Sequence, residues 1–360
     1  MNFFPLSFKK NKKKFLGIDI GTCSVRVIEL GRKGKEIVLE NYGELKSSSI
    51  QALSFRAIEE NGLLFSSQDT AKAISIILKN AAIETKEANF SIPDFTTFFT
   101  SFELPSMTEK ELPQAVQYQV RSNIPLPLSE VTIDWLVIEG SVNQNSKGLL
   151  KVMVAAIPND IIFQYQEIAR LANLEIKSLE AEAFALCRAV NYNNNKTISI
   201  IDVGARTTTI NIAENGILKM SHSFNVGGNE LTEALSQSLK ISYEQAEELK
   251  KEAGFGESEN NEKKVQDVLF PLVNLIFSEI NKIHQSFYYS FNKKVEKIFL
   301  AGGIALMPGL KDYFAKELGL PVDIIDPFAN ISYNPILKDI LQEMGPIYAI
   351  AVGLAKKGLE

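Results

Sequence analysis

The chain opens with short apolar runs that are separated by glycine-containing turns. Phe15–Ile20 and Val25–Leu30 are mainly apolar, and a third run, Glu36–Gly43, follows the turn GRKGK. Apolar runs of this length between glycine turns predict β-strands, and their close spacing predicts an antiparallel meander. The period then changes to that of a helix at SQDTAKAISIILKNAAI, where Ala73 and Ile77 share one apolar face.

Residues 95–175 follow a different order: strand, helix, strand, strand. TTFFTSFELP predicts a strand, and SMTEKELPQAVQYQVRSNIP predicts a helix that starts with a capping box of Thr108 and Glu111. Pro113 would then lie past the first turn, where it predicts a kink or an irregular start. VTIDWLVIEG and LLKVMVAAIP predict a hairpin. We interpret the whole unit as an inserted subdomain.

A second half begins after the polar turn formers NYNNNK at residues 191–196. Strands are predicted over 197–225, and helices over 227–238 and 242–253. KIFLAGG predicts a strand that enters a glycine turn, and IYAIAVGLA predicts a last helix. Before KIFLAGG, a long helical pattern has apolar residues at steps of three and four, namely Ile276, Ile280, Ile283, Phe287 and Phe291.

Composition narrows the classes of function. The net charge is −5, with 45% hydrophobic and 22% charged residues, so no overall basic field indicates a nucleic-acid partner. Cys23 and Cys187 provide no disulfide framework and favour a reducing, cytoplasmic compartment. No apolar run reaches the roughly 18 residues that a membrane-spanning helix needs. The start, MNFFPLSFKKNKKK, could touch an anionic membrane surface, with a solvated terminus as the alternative.

One motif occurs twice. The shift in sequence that aligns Asp19 with Asp202 also aligns Gly21 with Gly204. Each copy consists of a strand, Asp, an apolar residue, Gly, small polar residues and a second strand. Backbone N–H groups and hydroxyls in such a turn can hold phosphate oxygens, and the Asp can hold Mg²⁺ through water. One copy alone is ordinary hairpin chemistry. Two copies predict two phosphate turns that face one nucleotide.

Two further segments fit a nucleotide site. FLAGGIALMPGL ends a strand at Gly302 and Gly303, where the absence of Cβ would let a base or ribose approach the backbone; a plain strand-to-helix turn is the alternative. In ISYEQAEELKKEAG, Glu247 and Lys250 lie one helical turn apart and could reach ribose and base. The alternative for this pair is a solvated ion pair.

Together these motifs resemble the actin-like ATPase superfamily. Within it, KKKFLGIDIGTCSVRVIEL, QVRSNIPLPLSEVTIDW, FNVGGNELTEAL and IFLAGGIALMPGLKDYFAKELGLPVDIIDPF resemble, in this order, the PilM family of type IV pilus assembly proteins. The resemblance implies an α/β fold of two duplicated β-meander and helix halves around a nucleotide cleft, with the inserted subdomain shared with FtsA. The implied parts are a basic flexible tail (1–14), a first actin-like domain (15–94 and 176–196), an inserted subdomain (95–175), a second actin-like domain (197–345) and a C-terminal helix that packs back on the first domain (346–360).

The resemblance implies ATP and Mg²⁺ as ligands, with Asp19 and Asp202 organising the metal through water. Cys23 and Arg26 stand where the family commonly has a serine and a lysine, so a hydroxyl contact is lost. Glu182 would orient the attacking water; a surface acid at a helix N-terminus is the alternative. ATP hydrolysis is expected to be weak or absent. The implied nucleotide contacts are Gly21, Thr22, Cys23, Ser24, Arg26, Gly204, Ala205, Thr207, Gly227, Gly228, Glu247, Lys250, Gly302, Gly303 and Ile304.

The implied partner is the N-terminal cytoplasmic tail of the inner-membrane protein PilN. It would dock beside the inserted subdomain and hold the protein at the inner face of the inner membrane, and contacts with the assembly and retraction ATPases are also implied. Two alternatives use the same fold. A small-molecule kinase would need a catalytic acid that no recognisable sugar-kinase motif supplies. A filament-forming membrane tether like FtsA would need a C-terminal amphipathic helix, for which VGLAKKGLE is too short.

Overall fold

The structure is a computed structural model that describes most of the chain. The described residues are 13–50, 57–59, 62–64, 66–142, 148–190, 195–255 and 261–360. Most of the predicted basic tail and most of NYNNNK lie outside these ranges. The strands are β1 (Lys14–Ile20), β2 (Ser24–Lys33), β3 (Glu36–Lys46), β4 (Ala57–Glu59), β5 (Gly62–Leu64), β6 (Glu87–Ile92), β7 (Phe98–Pro105), β8 (Val131–Glu139), β9 (Leu149–Pro158), β10 (Glu175–Ala181), β11 (Thr197–Val203), β12 (Thr208–Glu214), β13 (Ile217–Phe224), β14 (Lys297–Ala301) and β15 (Val322–Ile324).

The helices lie between groups of these strands, so the fold is mixed α/β. They are α1 (Ser67–Asn80), α2 (Leu112–Asn123), α3 (Asn159–Leu171), α4 (Glu182–Val190), α5 (Gly228–Leu239), α6 (Tyr243–Glu252), α7 (Asn261–Phe291), α8 (Leu310–Leu318) and α9 (Lys338–Leu359).

Two five-stranded sheets share one strand order. The first runs β3-β2-β1-β6-β10 and the second runs β13-β12-β11-β14-β15. In each sheet the first three strands form an antiparallel meander, and the other two run parallel to the central strand. This confirms the two duplicated β-meander halves. It also brings the carboxyl ends of β1, β6 and β10 to one sheet edge, and those of β11 and β14 to the equivalent edge.

The inserted unit is a three-stranded antiparallel sheet of order β7-β9-β8, with α2 against it. The predicted hairpin is confirmed as β8 and β9. The predicted helix start was wrong, because α2 begins at Leu112 and Thr108 lies in a preceding turn. There the Thr108 N–H and Oγ1 both donate to the Glu111 carboxylate, at 2.9 and 2.7 Å. Pro113 therefore lies in the first turn of α2, where its missing N–H costs no helix bond.

Two helices exchange partners between the halves. α4, at the end of the first half, packs its apolar side chains into the core of the second sheet. α9 packs on β1 and β2 of the first sheet. The two helices cross where Gly353 of α9 lies against the backbone of Ala185 in α4. On the first sheet, Gly17 of β1 lies against the backbone of Ala351 in α9. Each sheet is therefore covered by a helix of the other half.

α7 is the long helix that the sequence predicts. Ile276, Ile280, Phe287 and Phe291 are buried along it, and Ile283 is half-buried. α9 extends further back than the last predicted helix, since it starts at Lys338 and continues through Pro346. In the part of the chain that the structure describes, no helix combines the length and the apolar composition that crossing a bilayer demands.

Lys356 is a buried cation on α9. It is 8% exposed, and its Nζ donates to the carbonyl of Pro327 at 3.2 Å. Burial lowers the pKa of Lys356 from 10.5 to about 8, while Asp326 acts in the opposite direction. Because the unfolded chain keeps the ordinary pKa, it binds the extra proton between pH 8 and 10.5. Lys356 therefore makes the free energy of unfolding rise with pH in this interval.

We expect Lys356→Met to raise the free energy of unfolding at pH 7 by about 1 to 3 kcal/mol, since the burial cost of the charge disappears. The same variant should lose the part of the pH-dependent rise that Lys356 contributes. Urea denaturation at pH 7 and near pH 10 measures both effects. Lys316→Met, on the exposed side of α8, is the control and should change neither quantity. A loss of stability at pH 7 in the Lys356 variant would contradict this interpretation.

Candidate functional site

The repeated sequence motif is also a repeated structural motif. The Gly21 N–H donates to the Ser24 carbonyl between β1 and β2, and the Gly204 N–H donates to the Thr207 carbonyl between β11 and β12, both at 2.9 Å. Each turn follows an aspartate at the carboxyl end of its strand. The two phosphate turns predicted from the sequence therefore occupy equivalent places in the two sheets.

Asp19 lies at the end of β1 and is 2% exposed. Its Oδ1 accepts a hydrogen bond from the Ser91 hydroxyl at 2.9 Å, and its Oδ2 accepts one from Arg26 Nη1 at 3.3 Å. The Arg26 Nε also donates to Glu44 Oε1, at 3.0 Å. Both oxygens of Asp19 thus have protein donors, and Arg26 lies in β2 rather than in the turn itself.

Asp202 has a different environment, beside the glycine turn that follows β14. A Cβ on Gly302 would overlap Asp202 Oδ1 and the Val203 carbonyl, and the φ of Gly302 is +84°. The Gly302 N–H donates to the Pro346 carbonyl at 3.0 Å. Around Gly303, in contrast, a Cβ would meet no described residue within 4 Å. The turn is thus closely packed on one side and open on the other, as a site for a flat base or ribose requires.

The start of α5 packs against the second turn. The Gly228 N–H donates to the Gly204 carbonyl at 2.9 Å, and the Asn229 N–H donates to the Ala205 carbonyl at 2.7 Å. Gly227 is in close contact with the same two carbonyls, so a Cβ there would lie 2.7 Å from the Gly204 oxygen. The structure therefore brings Gly227 and Gly228 next to Gly204 and Ala205.

Glu247 and Lys250 form the ion pair that their spacing predicts, but Lys250 is buried rather than solvated. Its Nζ donates to Gly228 O, Thr232 Oγ1 and Glu247 Oε2 at 2.9, 2.6 and 2.5 Å. Burial lowers the pKa of Lys250, although Glu247 acts to raise it. Burial would raise the pKa of Glu247, but hydrogen bonds from Lys250 and Thr232 outweigh it and lower that pKa. The pair fixes α6 to the start of α5.

The first turn lies near this α5–α6 region. Cys23 is exposed in the first turn. Burial is the main influence on both neighbouring groups, lowering the pKa of Lys250 and raising the pKa of Tyr243 on α6, and an ionised Cys23 would act to raise both pKa values. The Tyr243 hydroxyl donates to Asn229 Oδ1 at 3.1 Å. Elements from both halves thus meet around the space between the two turns.

Glu182 is the first residue of α4 and is buried, so the alternative of a surface acid is wrong. Its Oε2 accepts a hydrogen bond from the Asp94 N–H at 3.2 Å, and Asp94 Oδ1 accepts one from the Ala183 N–H at 3.0 Å. β6 and β10 end side by side, which explains why residues that follow them meet. The two carboxylates clamp the start of α4 to the end of β6.

Metal binding would need ligands beyond the protein. Among the residues given above as described, no group of three or more His, Cys, Asp and Glu side chains is arranged to hold a metal ion. Mg²⁺ in nucleotide sites keeps several waters and takes phosphate oxygens with one or two carboxylates. Asp19 and Asp202, near the carboxyl ends of β1 and β11, are the carboxylates at the two turns, and Asp19 also accepts hydrogen bonds from Arg26 and Ser91.

Comparison with known proteins places the chain in a family. The family model of the type IV pilus assembly protein PilM matches residues 17–359. The chain belongs to the PilM family. Cell division protein FtsA of Enterococcus faecalis is 22% identical to this PilM-family chain over 387 aligned residues, which cover 94% of this chain and 85% of FtsA.

Solved structures agree on the fold of this PilM-family chain. A PilM–PilN type IV pilus biogenesis complex matches with a TM-score of 0.80 at 22% identity, over 96% of this chain and 98% of that chain. MreB5 of Spiroplasma citri bound to ADP matches with a TM-score of 0.52 at 14% identity, over 95% of this chain and 94% of that chain. The actin-like fold inferred from the motifs is therefore confirmed.

Three residues around the PilM-family site were missed by sequence reasoning. Ser91 and Asp94 lie at the end of β6, and Glu44 lies on β3 opposite Arg26. The segment SIPD carries a weak signal, since a polar residue and an acid there end an otherwise apolar run. Glu44 carries none, because its approach to Arg26 depends on strand register alone.

Proposed function

We propose that the protein is an ATP-binding scaffold of the type IV pilus assembly machinery, in which the nucleotide state is coupled to partner binding. The observation that carries the proposal is the pair of hairpin turns with the same closing hydrogen bond, at equivalent places in the two sheets. Family membership supplies the cellular context, and a neighbour of the same fold, MreB5, was solved with ADP bound. The domain boundaries given above belong to the same proposal.

In this proposal the adenosine would lie against Gly302, Gly303 and Ile304, near Glu247. The phosphates would lie between the two turns, with Arg26 beside the first turn. Asp19 and Asp202 would hold Mg²⁺ through water, and the metal would neutralise phosphate charge. Asp19 would also hold Arg26. The buried clamp between Glu182 and Asp94 ties Glu182 to the structure of α4, which fits weak or absent hydrolysis.

The proposed partner is the N-terminal cytoplasmic tail of PilN, since a structural neighbour is a PilM–PilN complex. The tail would place the protein at the inner face of the inner membrane, where the assembly and retraction ATPases could also contact it. The inserted subdomain offers a groove for an extended peptide, with half of its lining residues apolar. This groove has a volume of about 650 Å³ and is lined by Ser106, Met107, Glu111, Gln114, Ala115 and Tyr118.

The two alternatives have less support. In the FtsA-like tether, a C-terminal amphipathic helix would bind the membrane, whereas α9 packs on the first sheet and Leu359 is buried. A small-molecule kinase would need an acid at a substrate cleft. Glu182 and Asp94 are the buried acids nearest that description, and each already accepts a hydrogen bond from the other's segment.

Cys23 provides the test, because it is an exposed thiol in the first turn while Cys187 is buried. Burial also raises the pKa of Cys187 to about 12, so a maleimide probe should modify Cys23 selectively. We expect ATP with Mg²⁺, at about ten times its dissociation constant, to slow the labelling of Cys23 about tenfold. If the nucleotide site and the peptide site are coupled, a peptide of the PilN tail should change the ATP concentration that half-protects Cys23 from labelling, in either direction.

Cys23→Ser is the control and should take up no probe, which would show that Cys187 is silent. A labelling rate that saturating ATP leaves unchanged would contradict the nucleotide site. A third outcome is that ATP protects Cys23, the peptide does not alter this protection, and a direct titration detects no peptide binding. This outcome would contradict only the proposal that the PilN tail is a partner.

A further inference from the structure

A charged row crosses the first sheet next to the turn that carries Cys23. Asp19 on β1 lies opposite Arg26 on β2, and Arg26 lies opposite Glu44 on β3. Directly opposed residues of antiparallel strands project from the same face, so the three side chains meet. The guanidinium of Arg26 bridges the two carboxylates, at 3.3 Å to Asp19 and 3.0 Å to Glu44.

The second sheet holds the matching row, with an aspartate in the first place but without the arginine and the glutamate. Asp202 on β11 lies opposite Thr209 on β12, and Thr209 lies opposite Ser223 on β13. The hydroxyls of Thr209 and Ser223 are 2.9 Å apart. A sheet with the same strand order therefore forms with two hydroxyls in these places. The arginine and glutamate of the first sheet are not a requirement of the architecture and call for another explanation.

The position of the Arg26 guanidinium explains why the first sheet has an arginine and a glutamate there. Arg26 Nη1 lies 3.5 Å from the place that a Cβ on Gly21 would occupy, so it is next to the first residue of the turn. The hydrogen bonds to Asp19 and Glu44 use Nη1 and Nε. A guanidinium carries five N–H donors in a planar fork, so Arg26 has donors beyond the two that these bonds use, and its Nη1 lies beside Gly21.

We propose that Glu44 is a positioning residue for the nucleotide's terminal phosphates, acting through Arg26. It holds Nε while Asp19 holds Nη1, so the planar group is fixed at two points with its remaining donors at the Gly21 turn. This inference rests on the proposed ATP site and deepens it. An arginine held in advance loses less conformational entropy when it binds a phosphate. Glu44 is itself negatively charged and would repel the phosphates of ATP. Its removal should weaken ATP binding if it positions Arg26, and strengthen ATP binding if it only repels the phosphates.

Glu44→Gln should weaken ATP binding about five- to tenfold, because the charge-assisted hold on Nε is lost. AMP lacks the terminal phosphates, and its dissociation constant should stay unchanged. The ATP-to-AMP affinity ratio, measured by calorimetric titration on the full chain, is therefore the readout that a merely structural role would not move. In an Arg26→Met background, Glu44→Gln should no longer weaken ATP binding.

Glu40→Gln is the matched control. Glu40 lies on the same strand, has a similar exposure and pairs with Lys14 at 3.2 Å at the far end of the sheet, so its removal should leave ATP binding unchanged. Should Glu44→Gln fold poorly, Glu44→Asp tests the same idea, because the shorter side chain keeps the negative charge but no longer reaches Arg26 Nε, and it should also lower the ATP-to-AMP ratio.

The outcomes separate two failures. In the first, the unmodified protein binds ATP and Glu44→Gln binds it equally well or more tightly. That result would overturn the role of Glu44 and leave the proposed nucleotide site standing. A weakening of equal size for ATP and AMP would also overturn it. No ATP binding by the unmodified protein would overturn the proposed function, and this assignment with it.

Discussion

Gly302→Ala is expected to weaken ATP binding by at least about a hundredfold, the equivalent of about 3 kcal/mol. The added Cβ would overlap Asp202 Oδ1 and the Val203 carbonyl, and the backbone there has a φ of +84°. The carbonyl belongs to β11 in the middle of the second sheet and cannot move away. The glycine turn must therefore shift, and it carries the proposed adenosine contact with it. Equilibrium titration with a fluorescent ATP analogue measures the effect.

Gly319→Ala is the control for this prediction. Gly319 also has a positive φ, +63°, but a Cβ there would meet nothing within 4 Å. It should lose about 1 kcal/mol of stability from backbone strain alone and keep its ATP affinity. Equal ATP affinities for the Gly302 variant and the unmodified protein would mean that adenosine does not lie at this turn.

Gly17→Ala should destabilise the whole fold by more than about 3 kcal/mol. The added Cβ would overlap the Ala351 carbonyl oxygen and lie 2.6 Å from the Ala355 nitrogen, both in the backbone of α9. α9 cannot retreat, because Gly353 already lies against the backbone of Ala185 on its other side. The midpoint and slope of urea denaturation give the change in free energy of unfolding.

The matched control is Gly148→Ala, where a Cβ would meet none of the residues that the structure describes within 4 Å. Its midpoint should stay close to that of the unmodified protein. A loss below about 1 kcal/mol in the Gly17 variant would show that α9 and β1 can separate slightly at little cost, contrary to the close packing described here.

Local chemistry explains what the sequence could predict. The two D-x-G turns are short-range features, in which the residues that close the turn are neighbours in the chain. Their repetition around Asp19 and Asp202 was therefore readable, and with it the duplicated meander. Long periodic segments such as α7 were readable for the same reason, since one helix face repeats within a few residues.

What the sequence could not supply depends on register and on distant contacts. Arg26 was expected at the phosphates, but its bond to Glu44 follows from the pairing of β2 with β3, which one residue of slip would remove. The burial of Lys250 depends on α5 packing against α6. At the start of α2 the error was local, because the Thr108 N–H donates to the Glu111 carboxylate as in a capping box while the Thr108 hydroxyl donates to the same carboxylate, and the helix begins only at Leu112.

The exchange of α4 and α9 between the sheets has a consequence for the synthesis of the protein. β1 is among the first elements to leave the ribosome, yet the helix that covers it, α9, is made only after almost all the rest of the chain. Until then the apolar face of β1 and β2 has no permanent cover, and exposed faces of this kind promote aggregation. The core of the first sheet is therefore completed only when α9 has been made, so its formation depends on contacts between residues that are far apart in the chain.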